Sequence, residues 1–142
     1  MEKLTPSERP RTLPAAVTRY RTNCGNIYVT VSVDKDGNPL ELFANMGKTG
    51  GCSMAMLEAV GKSVSVGLRC GVDPKEYIEK LIGIACPGQS WDNGEHIMSC
   101  IDAMGRELRD VLGKQGVQTD GEPTEEEIAA RVEKLRAERP KD

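Results

Sequence analysis

Five cysteines and a single histidine carry most of the reactive chemistry in this chain of 142 residues. Cys24 precedes a run of alternating apolar residues, Cys52 follows a glycine-rich turn, Cys86 stands before a proline, and Cys100 lies in a run of helical periodicity. Thiolates bind soft metals and attack disulfides, and a helix N-terminus favours the thiolate form, which gives Cys52 a physical reason for reactivity. Together Cys24, Cys52, Cys86 and Cys100 have the donor set of tetrahedral zinc or an iron-sulfur cluster. Structural zinc sites usually bring their ligands as close C-x-x-C pairs, however, and none occurs here. Spacing therefore leaves two readings open, a metal site or small buried thiols packed as hydrophobes. Cys70, beside Arg69 and Gly71 at a helix end, reads as the second kind. One histidine excludes the two-histidine zinc hydrolases and the His-His-carboxylate iron sites, and His96, with Asp92 and Glu95 nearby, receives no role.

The stretch Gly47-Lys48-Thr49-Gly50-Gly51 invites a phosphate reading. Glycines before a helix expose backbone N-H groups and Lys48 adds a positive charge, so Lys48, Thr49, Gly50 and Gly51 are candidate ligand-binding residues. The full Walker pattern is absent, because only its end is matched, and the competing reading is a strand-to-helix turn. No serine elbow, paired catalytic carboxylate or dinucleotide fingerprint occurs, so hydrolase and dehydrogenase readings have no support and no activity of the chain's own is expected.

Bulk properties narrow the partners. The net charge is -3, with 19 basic and 22 acidic residues, and aromatics make up 4%, which leaves neither a positive field nor stacking surface for nucleic acid. Apolar runs such as Val64 to Leu68 fall far short of the ~20 residues of a membrane helix, and the start lacks a signal-peptide core. A cytoplasmic protein is expected, with its cysteines kept from forming structural disulfides.

The chain length suits one domain. Residues 1–14, with three prolines, read as a flexible N-terminal arm, and 15–112 as the domain proper. Val17 to Thr22 reads as a short strand. Ile27, Val29, Val31 and Val33 alternate with Tyr28, Thr30 and Ser32 as in a half-buried strand, and a turn at 34–39 returns the chain in a strand over 40–46. Met54, Leu57, Val60, Val64 and Leu68 then recur at helical spacing. Asp73 and Pro74 open a second helix that ends near Gly83. After a loop from Cys86 to Gly94, with Trp91 as a potential lid, Ile97, Ile101, Met104, Leu108 and Leu112 mark a third helix. Residues 113–123 read as a linker and 124–139 as an amphipathic helix carrying Ile128, Val132 and Leu135. The expected fold is α+β: an antiparallel hairpin or meander followed by two or three packed helices, plus the C-terminal helix.

Three separated motifs resemble the TSCPD domain found at the C-terminal end of adenosylcobalamin-dependent ribonucleotide reductases. They are Cys24-Gly25-Asn26-Ile27-Tyr28-Val29-Thr30-Val31, Gly47-Lys48-Thr49-Gly50-Gly51-Cys52, and Cys86-Pro87 followed by Ser99-Cys100-Ile101-Asp102-Ala103. The resemblance runs from about Leu13 to Leu112 and departs at Ile101, where the family's motif has proline, and at the extra Cys70. It implies a stand-alone accessory module that docks on a ribonucleotide reductase or related enzyme and supplies no catalysis itself. It also puts Cys24, Cys52, Cys86 and Cys100 on the family's recurrent cysteine positions, so a four-cysteine zinc site is expected, with an iron-sulfur cluster as the alternative. A thiol relay, through a pair such as Cys86 and Cys100, and a nucleotide-phosphate binder are the competing functions.

Overall fold

The structure is a computed structural model that describes residues 2–47, 51–114 and 125–137. Three antiparallel strands, β1 (Ala15–Thr22), β2 (Gly25–Val33) and β3 (Pro39–Met46), form a meander in that order. The turn between β2 and β3 is held by Asp34, whose Oδ1 accepts from the backbone amides of Asp36 at 2.8 Å and Asn38 at 2.9 Å, an Asx-type closure. Register places Tyr20 opposite Ile27 and Ile27 opposite Met46, and likewise aligns Thr18, Val29 and Ala44. With a side-chain period of two, these residues share one face, and that face is buried.

Helices cover this face only. α1 (Cys52–Arg69) packs along β3 through Leu57, Val64 and Leu68, and is tied there by Ser65, whose hydroxyl accepts from the Leu42 amide at 3.0 Å and donates to the Leu42 carbonyl at 3.2 Å. α2 (Pro74–Leu81) starts as its sequence predicts, with Asp73 accepting from the Lys75 amide at 3.0 Å and Pro74 in the first turn. α3 (Cys100–Gly113) contributes Ala103, Met104, Leu108 and Val111 to the same core and packs against all three strands and α2. The α+β meander with packed helices is thus present as expected.

Between α2 and α3 the chain forms a small hairpin, β4 (Ser90–Asp92) and β5 (Glu95–Ile97), where the sequence suggested only a loop. Asn93 and Gly94 both adopt positive φ, 49° and 79°, the geometry that two-residue hairpins require. Ile97 therefore ends a strand rather than opening α3, although it is buried in the core that the periodicity assigned to it. Trp91 is 67% exposed on this hairpin and stacks on His96, with ring centroids 4.8 Å apart.

The N-terminal arm is held at two points. Arg9 Nε donates to Glu41 at 2.8 Å, and the Ser7 amide donates to the Arg69 carbonyl at 2.9 Å. α4 spans Glu125–Ala137. Its apolar face is not established, since Val132 is exposed and the side chains of Ile128 and Leu135 lie outside the described residues. The expected linker continues beyond Lys114 into residues that are likewise not described. No helix among the described residues is long and apolar enough to cross a membrane.

Candidate thiol site

One end of the sheet collects the cysteines. Cys24 sits in the tight turn joining β1 to β2, which Thr22 closes by donating to the Gly25 carbonyl at 2.7 Å. Cys100, in the first turn of α3, points its thiol at the same threonine, with Sγ 3.4 Å from Thr22 Oγ1. The Cys86 amide donates to the Met98 carbonyl at 2.9 Å, which holds the segment after α2 beside the start of α3. A Cβ added at Gly88 would run into the side chain of Asn23, so the chain after Cys86 must lie against the Cys24 turn.

Burial pushes the Cys100 thiol up from its usual range, the Thr22 hydrogen bond pulls it back, and the neighbouring thiols of Cys24 and Cys86 raise it further. Cys52 is exposed at the start of α1. β3 ends opposite the start of β2, so the chain leaves the sheet toward α1 at the Cys24 end. Cys70 caps the far end of α1, roughly 27 Å away at 1.5 Å per residue, and stands outside the cluster.

The donor chemistry of this end, sulfur ligands around a thiol whose ionised form a nearby cation would stabilise, suits a thiophilic ion. The arrangement is not closed around such an ion. Among the described residues, no group of three or more His, Cys, Asp or Glu side chains is placed to hold a metal. Lys48, Thr49 and Gly50, the candidate phosphate residues, lie outside the described residues, while Gly51 is the N-cap of α1.

The segment from Met98 to Asp102 supports Cys100 through bonds that sequence reading did not find. Ser99 caps α3 by accepting from the Asp102 amide at 3.0 Å, and its hydroxyl donates to the Ile84 carbonyl at 2.5 Å. Asp102 is fully buried and accepts from the amides of Gly83 and Met98, each at 2.9 Å, and from Arg106 Nε at 2.8 Å. One carboxylate therefore joins the end of α2, the exit of β5 and α3. A readable signal existed in Ser99-x-x-Asp102, a helix-start pattern of the capping-box kind. Glu107, further along α3, is also buried and accepts from the hydroxyls of Thr18 and Tyr20, each at 2.8 Å. The acids flanking His96 are engaged elsewhere: Glu95 pairs with Arg106 and Arg109, and Asp92 accepts from the Arg21 amide.

Comparison with family models matches residues 3–112 to the TSCPD domain. No curated protein and no solved structure matches the chain. The family match covers the meander, all three packed helices and most of the N-terminal arm. The chain belongs to the TSCPD domain family.

Proposed function

We propose that this TSCPD-family chain is a non-catalytic accessory module that docks on a ribonucleotide reductase or a related enzyme, and that its thiols take up one zinc ion. Cys24, Cys86 and Cys100 would hold the ion, with the exposed Cys52 as fourth donor. The observation that carries this reading is the convergence of three cysteine-bearing segments at one sheet end: the Cys100 thiol lies 3.4 Å from Thr22, which closes the turn holding Cys24, and the chain after Cys86 packs against Asn23 of that turn. Zinc bound there would tie the β1–β2 turn, the start of α1, the post-α2 segment and α3 together, so metal uptake would contribute directly to folding. Iron-sulfur chemistry draws on the same donors.

Metal analysis with an absorption spectrum on anaerobically purified protein tests this. About one zinc per chain, reduced in Cys100→Ser together with a lower unfolding temperature, is the expected result. Visible sulfide-to-iron absorption would replace zinc by a cluster, and metal-free protein with freely titrating thiols would remove the metal reading.

A second reading, a thiol relay, is favoured by the exposed Cys24 in the turn that Thr22 closes, the same threonine that meets the Cys100 thiol. In it the Cys24 thiolate attacks a partner protein's disulfide and expels one partner thiolate. Cys100 then attacks the Cys24 sulfur, releasing the second partner thiol and leaving a Cys24–Cys100 disulfide, a transfer of two electrons to the partner. That reading predicts a reversible disulfide between these two cysteines in metal-free protein.

A further inference from the structure

The side of the sheet away from the helices is uncovered over most of its area. Register sets its rows: Val17, Thr30 and Phe43 in one, Arg19, Tyr28 and Asn45 in the next, then Arg21 with Asn26. Only the row of Ser32 and Glu41 is buried, with Arg9 of the arm bonded to Glu41. The rest exposes three large apolar side chains, Val17 at 63%, Tyr28 at 41% and Phe43 at 38%. A sheet face of this kind ordinarily packs against another layer.

Its charge says what kind of layer. The chain as a whole is acidic at -3, yet this patch carries Arg19 and Arg21. No carboxylate lies within ion-pair reach of either guanidinium among the described residues. Asp92 meets Arg21 only through its backbone amide. The same contact, with Ser90 Oγ donating to the Arg21 carbonyl at 2.7 Å, ties β4 to the Arg21 end of β1 and leaves the face itself open. Two guanidinia without an ion partner among the described residues, on a face that also carries aromatic rings, complement carboxylates beside apolar side chains.

We propose that the open face formed by Val17, Arg19, Arg21, Tyr28 and Phe43 is the docking surface for an acidic amphipathic segment of a partner protein. This deepens the reading of the chain as a binding module and rests on it, but it does not depend on what the thiols carry.

The test uses the full chain, labelled for backbone NMR, titrated with a short helical peptide of Glu, Asp, Leu and Phe. The charge-inverted Lys and Arg peptide and a single-stranded oligothymidine serve as competitors. Expected is saturable binding of the acidic peptide, with shift changes centred on Val17, Arg19, Tyr28 and Phe43, about tenfold weaker in the Arg19→Glu/Arg21→Glu double variant. Phe43→Ser should weaken binding similarly, while zinc content and the signals around Cys100 stay unchanged in both variants. The proposal is overturned by no saturable binding, by shifts centred elsewhere, by equal binding of the inverted peptide or tighter binding of the oligonucleotide, or by self-association that buries these residues. None of those outcomes bears on metal content, so loss of the docking face and loss of the zinc site are read separately.

Discussion

α1 and α3 both begin on a cysteine, and the two starts are built on different principles. At α1, Gly51 occupies the cap with φ 101°, no side chain caps the helix, and Cys52 is exposed. At α3, Ser99 supplies the cap, Asp102 draws in two amides and a guanidinium, and Cys100 is half-buried against Thr22. A helix start by itself favours thiolate, yet at Cys100 burial and neighbouring thiols overcome this and hold the proton. Position on a helix thus sets only one contribution to a thiol's chemistry, and what the helix end is packed against decides the result. The first start leaves its cysteine exposed, and the second is a fixed post that holds its cysteine against the sheet.

The strongest challenge to that contrast is Asp102→Ala. It leaves the amides of Gly83 and Met98 and the Arg106 guanidinium without their acceptor in a buried place, and breaking such a pair costs about 3–5 kcal/mol. Urea unfolding should show this loss, and a change below about 1 kcal/mol would mean that α3 does not need its clamp. Ser99→Ala comes next, with a cost of about 1 kcal/mol for the lost cap. Its counterpart, Gly51→Ser, adds a capping hydroxyl to α1 but forces a side chain into a left-handed conformation, so destabilisation is expected where capping alone predicts a gain. Thermal unfolding of the two variants side by side checks both signs.

The pH dependence sharpens the contrast within α3 itself. Asp102 is buried beside a cation, but Glu107 has only hydroxyl partners, and burial raises its carboxyl above the usual range despite the bonds from Tyr20 and Thr18. A carboxyl raised on folding binds its proton more tightly in the native state. Its stabilising contribution is complete below the unfolded value and is lost as pH rises through the folded one. Glu107→Gln should therefore gain less stability than the parent when pH falls from neutrality toward the unfolded carboxyl range. Urea midpoints measured across that interval decide it, with equal slopes ruling the effect out.

What was legible in the sequence follows from how local each signal is. β2 declared itself because its alternation is set by one face of one strand, and α2 because Asp73 and Pro74 are neighbours. The cysteines were legible as chemistry, but what brings Cys86 and Cys100 to the Cys24 turn is long-range, a bond from Cys86 to Met98 and one from Cys100 to Thr22, which no spacing encodes. β4 and β5 were missed because three residues are too few for a period, leaving Asn93-Gly94 as their only mark. The roles of Asp102 and Glu107 were hidden for a related reason: Gly83 is 19 positions from Asp102, and Thr18 and Tyr20 are 89 and 87 from Glu107. A buried carboxylate looks like a surface one until the partners that satisfy it are known.

The smallest expected effect concerns Ile101, where the resembling motif has proline. Ile101 occupies the second position of α3, where backbone amides have no partner within the helix, and the Ser99 hydroxyl is already engaged with the Asp102 amide. A proline there removes no hydrogen bond of the clamp and restricts the unfolded chain, which stabilises by about 0.4–1 kcal/mol where the backbone permits. Against this stand the loss of Ile101 packing at the core margin and the restriction proline places on Cys100 before it. The two sides nearly cancel, so Ile101→Pro should change stability by less than about 1 kcal/mol and leave the Cys100 thiol in place. A loss of more than about 2 kcal/mol in urea unfolding would instead show that Ile101 packing and the helical backbone at Cys100, and not the Ser99 and Asp102 bonds alone, fix the start of α3.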